Sequence, residues 1–188
     1  MIQTKQQLRD CLKIEKKNYV AQNRKRNLQN RLMGGSDVDL WFYIKAMRKR
    51  EFYFNNRNKN PLYAFLNLFY ARRFNCYGRR LGIECGFAVF DTGVEIYHAQ
   101  GTVINGDAKI GKNCKLHGAN VIGNMGNNLG VPVIGDNVRL GAKAMVLGNI
   151  RIADDVQIGA GAVVLHSCDE KGALLIGCPA KPYHKGSE

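Results

Sequence analysis

No run of eighteen apolar residues occurs in the 188-residue chain, so a membrane-spanning helix is excluded. The opening residues, Met1 to Gln7, contain no apolar stretch, and a secretory signal is not expected. The six cysteines (Cys11, Cys76, Cys85, Cys114, Cys168 and Cys178) form no C-x-x-C pair and no His/Cys cluster with zinc-ligand spacing. Reduced thiols, a cytoplasmic location and no metal follow as expectations. Histidine is scarce, four in all, at positions 98, 117, 166 and 184. Acid is short as well: 28 Lys and Arg face 15 Asp and Glu, a net charge of +13. That shortage is local. Residues 1–80 carry 19 basic and 5 acidic side chains, residues 81–188 carry 9 and 10, and only 3 of the 21 glycines precede residue 81. A basic helical region over 1–80, a glycine-rich region over 81–183 and a tail at 184–188 are therefore expected. With 45% hydrophobic and 23% charged residues the chain is globular, not disordered.

Within the basic region, segment 5–33 has neither Gly nor Pro and a weak apolar stripe (Leu8, Cys11, Leu12, Ile14, Val20, Leu28, Leu32), which predicts a helix up to Gly34 and Gly35. Ser36 or Asp37 is placed to cap a second helix, 38–54, with an aromatic face. Residues 55–60 read as a loop, and Pro61 suits the first turn of a third helix. Trp41, Phe42, Tyr43, Phe52, Tyr53 and Phe54 are expected in a core rather than as stacking platforms. Three readings of the excess charge stand side by side. The first is solvated helix faces. The second is attraction of an anionic small molecule or lipid-linked acceptor, with peripheral association at an anionic membrane surface. The third is nucleic-acid binding, and since no recognition motif accompanies the charge, no specific nucleic acid is expected.

The second region repeats. Counting every sixth position from 104 gives Ile104, Ile110, Leu116, Ile122, Asn128, Ile134, Leu140, Val146, Ile152, Ile158 and Val164, ten aliphatics in eleven. Gly follows at 111, 123, 135, 141 and 159, and the fourth residue on is small or apolar at Ala108, Cys114, Val138, Ala144, Ile150, Val156 and Ala162. A period of six fits neither a helix nor a plain hairpin. It fits short strands joined by tight turns, each placing one aliphatic in the core of a three-sided solenoid. Asn113 and Asn137 read as turn formers. The exception at Asn128 lies in Gly123-Asn124-Met125-Gly126 to Gly130-Val131-Pro132, where the chain is expected to leave the coil near 123–132 and rejoin it at Val133, and such excursions often carry sites.

The stretches Ile96 to Gly106, Lys109 to His117, Ile134 to Ile150, Ile158 to Val164 and Ile176 to Lys181 resemble the hexapeptide-repeat acyltransferases, and among them the serine acetyltransferase-like enzymes associated with polysaccharide biosynthesis. The resemblance spans roughly 38–183. It implies an α+β protein, an N-terminal α-helical segment followed by a left-handed parallel β-helix of hexapeptide repeats. It also implies a homotrimer, with acetyl-CoA in a groove between neighbouring coils and a histidine as general base. His98 falls on the family's catalytic histidine, and Glu84 falls, with a one-residue gap, near its acidic partner. His117 matches a second histidine of the polysaccharide-associated subgroup. Gly141, Ala142, Gly159 and Ala160 fall where the backbone approaches the pantetheine arm, and Lys181 near the nucleotide end. Two departures stand out. Tyr97 precedes His98 where serine acetyltransferases carry Asp, and Gly130-Val131-Pro132 replaces their Arg-His-Pro.

The expected reaction is transfer of an acetyl group from acetyl-CoA to a hydroxyl of a small acceptor, a sugar of a surface polysaccharide or serine. Histidine is the side chain whose ordinary pKa suits removal of a hydroxyl proton near neutrality. His98 and His117 are nineteen residues apart, and with eighteen residues per coil they are expected almost one above the other, about 5 Å apart. His166 and His184 are expected to be idle, and Cys114, a strand residue by its phase, is not expected to be a nucleophile. The alternative is a non-catalytic solenoid that binds a partner or an anionic surface through its basic helices.

Overall fold

The computed structural model describes residues 1–20, 32–33, 35–126 and 130–183. The chain divides into two compact units, Met1–Gly82 and Ile83–Glu188.

The first unit contains helices α1 (Lys5–Tyr19), α2 (Ser36–Asn55) and α3 (Pro61–Leu81). Helix α1 opens on a capping box: Thr4 Oγ1 accepts from Gln7 N at 3.1 Å, and the Gln7 side chain accepts from Thr4 N at 2.9 Å. The expected helix over 5–33 is described only to Tyr19, and residues 21–31 lie outside the described residues. Gly35, not Ser36 or Asp37, is the N-cap of α2, with no side-chain cap bond. The helix begins one residue earlier than that assignment allows, and Asp37 and Asp39 lie inside its first turn, where they face the positive end of the helix dipole. Asn60 caps α3 through Leu62 N at 2.8 Å, with Pro61 in the first turn as expected, and Gly82 closes α3 in the left-handed region at φ 67°.

Leu40, Tyr43, Ile44 and Met47 of α2 and Phe74 of α3 are buried, with Tyr43 and Phe74 stacked across the two helices at 4.8 Å. Phe52, packed with Ile2, Cys11 and Leu8, ties in α1. Of the aromatics expected in a core, Tyr43 and Phe52 are fully buried, and Trp41, Phe42, Tyr53 and Phe54 are half-buried. A charged cluster is sealed inside this packing. The Arg48 guanidinium donates to Glu15 at 2.6 Å and to Glu51 at 3.3 Å, and Glu51 also accepts from Ile2 N at 2.8 Å. Burial alone would lower the Arg48 pKa, but the Glu15 carboxylate, aided by Glu51, raises it above the ordinary guanidinium value.

The second unit is a coil of short strands: β1 (Ile83–Cys85), β2 (Glu95–Ile96), β3 (Thr102–Ile104), β4 (Lys109–Ile110), β5 (Lys115–Leu116), β6 (Val121–Gly123) and β7 (Val133–Ile134). It continues through β8 (Arg139–Leu140), β9 (Met145–Leu147), β10 (Arg151–Ile152), β11 (Gln157–Ile158), β12 (Val163–Val164), β13 (Leu174–Gly177) and β14 (Ala180–Pro182). Three sheets result, in the orders β1-β3-β6-β9-β12, β4-β7-β10 and β2-β5-β8-β11-β13-β14. All pairs are parallel except the closing hairpin of β13 with β14. This is the three-sided stack that the six-residue period requires. The ten repeat aliphatics are all buried, none more than 3% exposed. The small position is buried at Ala108, Cys114, Val138, Ala144, Val156 and Ala162, while Ile150 is half-buried.

The turns obey the same register. Asn113, Asn137 and Asp155 stack at one corner with φ of 54°, 57° and 61°, and each amide donates to the next oxygen, at 3.0 and 2.9 Å. Asparagine and aspartate tolerate this backbone better than other side chains. The excursion is present. Lys109 pairs with Val133 and Val133 with Arg151, steps of 24 and 18 residues, so six residues leave the coil between β6 and β7. Asn127 and Asn128 lie outside the described residues.

Candidate active site at one corner of the coil

Strands β2, β5, β8 and β11 each lead round the same corner into the β1 sheet, and their register sets what lies there. Ile96, Leu116, Leu140, Ile158 and Leu175 are aligned partners. The next residue in each strand therefore forms a column of Tyr97, His117, Gly141, Gly159 and Ile176, and the one after it a column that runs His98, Gly118, Ala142, Ala160. Successive members are one strand spacing apart, about 4.8 Å. Both histidines and the four Gly and Ala positions singled out in the sequence thus share one edge. Lys181 sits opposite Ile176 in the closing hairpin, exposed at the far end of the same edge.

One expectation is corrected. His98 is not stacked above His117. Glu95 pairs with Lys115, so this first coil takes twenty residues, not eighteen. The extra length lies between Ile96 and Ile104, eight residues where Leu116 to Ile122 takes six. Tyr97 is the residue stacked on His117, with ring centroids 4.6 Å apart and planes at 20°. His98 lies one position further on, against Gly118, whose missing Cβ would stand 2.8 Å from both the Cβ and the carbonyl oxygen of His98. His98 is exposed and His117 half-buried.

Asn120, which the sequence reading passed over, holds this corner. Fully buried, it occupies the small-residue position six residues after Cys114, stacked between Thr102 and Ala144. Its Oδ1 accepts from Gly118 N at 3.0 Å, and its amide donates to the carbonyls of Gly141 at 2.7 Å and Ala144 at 3.3 Å. A polar residue at an inward repeat position was the signal available in the sequence.

Glu84 is not brought to His98 within the chain. It lies on β1, paired with Val103, and among the described residues no hydrogen bond or ion pair joins it to a histidine. It heads the outward column of its sheet, which continues through Val103, Val121, Met145 and Val163. The matching column of the β2 sheet is polar over four strands, Glu95, Lys115, Arg139 and Gln157, before it ends on Leu174. An open cleft of about 530 Å³ crosses this apolar face, with Glu84, Asn105 and Asn124 as its polar lining beside Val103, Val121 and Leu147. Cys114 is fully buried, and desolvation pushes its thiol pKa up to about 12, which removes it as a nucleophile at neutral pH. His166 is exposed on the bend after β12, and His184 lies outside the described residues. Among the described residues no three His, Cys, Asp or Glu side chains group as a metal site.

Residues 132–166 match the family model of the bacterial transferase hexapeptide (six repeats). Serine acetyltransferase of Neisseria gonorrhoeae is similar over 98% of this chain and 69% of its own, at 27% identity and a TM-score of 0.67. The soybean serine acetyltransferase apoenzyme is similar over 94% and 69%, at 22% identity and a TM-score of 0.68. A serine acetyltransferase in complex with CoA is similar over 95% and 71%, at 21% identity and a TM-score of 0.64. No curated protein sequence matches the chain. The chain shares with serine acetyltransferases the build of a helical unit followed by a parallel-stranded coil, and this likeness, with the hexapeptide repeat, supports a hexapeptide-repeat acyltransferase.

Proposed function

We propose that the chain transfers an acetyl group from acetyl-CoA to the hydroxyl of a small acceptor, with His98 as general base. The observation that carries this reading is the single corner on which His98, His117, Gly141, Ala142, Gly159 and Ala160 align over successive coils. The acceptor hydroxyl gives its proton to the imidazole of His98 as its oxygen attacks the thioester carbonyl. The tetrahedral oxyanion collapses, the C–S bond breaks, and the departing CoA sulfur takes the proton back from His98. His117, held flat by Tyr97, orients the acceptor or donates to the oxyanion. The small residues at 141–142 and 159–160 let the pantetheine arm lie against the backbone, with Lys181 beyond them for the phosphates. CoA in a structure of similar fold supports this assignment.

The coil is left-handed and trimeric in this reading. The apolar outward column of Val103, Val121, Met145 and Val163, beside the histidine corner, supports a neighbouring copy on that face. Glu84, at the head of the column, is then supplied to a histidine across the interface. A sugar suits the acceptor role better than serine. The cleft on this face offers Asn105, Asn124 and a carboxylate but no Arg for the carboxylate of a free amino acid. Six free cysteines support a reducing, cytoplasmic setting.

The test is acceptor-dependent release of CoA thiol, followed with serine, sugars and nucleotide-sugars. His98→Ala should lower kcat about 10²–10⁴-fold with acetyl-CoA binding nearly unchanged, and His117→Ala about ten- to a hundredfold. Turnover by His98→Ala above about half that of the wild type would overturn the base assignment, and serine turning over as well as the best sugar would overturn the acceptor preference.

A further inference from the structure

Helix α3 contains four arginines and no carboxylate, and its outward side is not that of an ordinary solvated helix. Leu62, Phe65, Leu68 and Phe69 are 56%, 64%, 68% and 43% exposed. The helical period puts them on one side of the first turns, and Arg72, Arg73 and Arg79, all exposed, continue that side toward the C-terminus. The acids of this unit do not offset them. Of its five, Glu15 and Glu51 are buried on Arg48, Asp39 is taken by Arg80 at 2.9 Å, Asp10 accepts from Gln6 within α1, and Asp37 lies in the first turn of α2. Among the described residues no carboxylate pairs with Arg72, Arg73 or Arg79. On the flank of the stripe, a cavity of about 180 Å³ is lined by Phe42, Lys45, Lys49, Phe69, Tyr70 and Arg73, three cations with no acid. Lys49 donates to the Tyr70 hydroxyl at 2.9 Å and Arg73 to the Tyr77 hydroxyl at 3.3 Å, contacts that use one donor of each cation and leave their remaining N–H groups, with those of Lys45, to face an anion.

We infer that this side of α3 docks on an anionic lipid surface. Leu62, Phe65, Leu68 and Phe69 enter the boundary between headgroups and acyl chains, while the arginines and the cationic cavity take lipid phosphates. No described helix is long and apolar enough to cross a membrane, so the contact is peripheral. Charge decides against a second copy as the occupant. A self-complementary contact would set the same arginines against each other with no carboxylate between them. A lipid surface satisfies the apolar side chains and the cations together. The inference stands independently of the acetyl-transfer reading, since it uses no residue of the coil.

The experiment is co-sedimentation of the full chain with phosphatidylcholine vesicles, with and without phosphatidylglycerol, at low and high salt. The wild type should pellet only with the anionic vesicles. Arg72→Gln with Arg73→Gln should weaken partitioning about 30-fold, at roughly 1 kcal/mol per cation near the surface. Phe65→Ser with Leu68→Ser should remove the part of the binding that survives salt. Far-UV circular dichroism establishes that each variant is folded. Equal pelleting with neutral vesicles, no pelleting at all, or folded variants that bind like the wild type would overturn the inference. So would a Phe65→Ser, Leu68→Ser variant whose lipid-free assembly loses mass in sedimentation, because the stripe would then be covered by another copy.

Discussion

Substituting Gly118 by alanine should disturb the candidate active site without touching either histidine. Gly118 has φ +117°, a backbone that an L side chain pays about 1–3 kcal/mol to adopt. The added Cβ would stand 2.8 Å from the Cβ and carbonyl oxygen of His98, well inside the roughly 3.5–4.0 Å of a comfortable contact. Gly118 cannot retreat. Its N–H donates to Asn120 at 3.0 Å and its carbonyl accepts from Lys143 N at 2.8 Å, so both sides are held by the coil. The exposed residue His98 must move instead. Gly161→Ala is the control: φ is +69° and no atom lies within 4 Å of the added Cβ, so only the backbone cost remains. At about 2–4 °C per kcal/mol for a chain of this size, Gly161→Ala should lower the melting temperature by a few degrees and Gly118→Ala by clearly more. Turnover should fall sharply in Gly118→Ala alone, because about 1 Å of misplacement can cost on the order of a hundredfold. Thermal melts and CoA-thiol release on the two variants decide the matter. If Gly118→Ala melts with Gly161→Ala and keeps turnover within about twofold of wild type, the contact does not position His98.

Four further outcomes are expected. Asn120→Ala should destabilise the coil by roughly 1–3 kcal/mol, read by denaturant unfolding, because the buried Gly118 N–H loses its acceptor, while the carbonyls of Gly141 and Ala144 keep Ala144 N and Val121 N as donors. Arg48→Met should cost about 3–5 kcal/mol by leaving Glu15 and Glu51 buried without a counter-charge, and a loss below about 1 kcal/mol would refute the sealed cluster. A thiol reagent near pH 8 should label exposed Cys76 and Cys178 rapidly and spare Cys114 until unfolding. With the Cys114 pKa raised from 9.0 to about 12, the folded state resists ionisation, so its advantage is complete below about pH 9 and is lost as the pH rises toward 12. Val121→Lys, at the centre of the apolar column, should lower the sedimenting mass, and an unchanged mass would remove the interface from that face.

The sequence by itself determined the coil, because a solenoid core admits one side chain per strand and each such position must be apolar at a constant interval. The same local physics made the turns legible. A left-handed backbone at Asn113 and Asn137 favours residues that tolerate it, and proline at 61 can only open a helix. Counting along the chain failed where the interval changed. Carried back from Ile104, the six-residue phase lands on His98, yet Ile96 is the inward residue, 3% exposed. Two additional residues at that corner are accommodated by the turn, and only strand pairing reveals them. That slip decides which ring lies on His117. Tertiary structure alone also decided the role of Asn120, whose partners are 2, 21 and 24 residues away, and the fate of Arg48, one basic residue among many until packing buries it on Glu15, 33 positions distant. A periodic pattern reports what each strand must do alone. Hydrogen bonds and ion pairs across coils and helices depend on which residues meet, and that is set by register and packing.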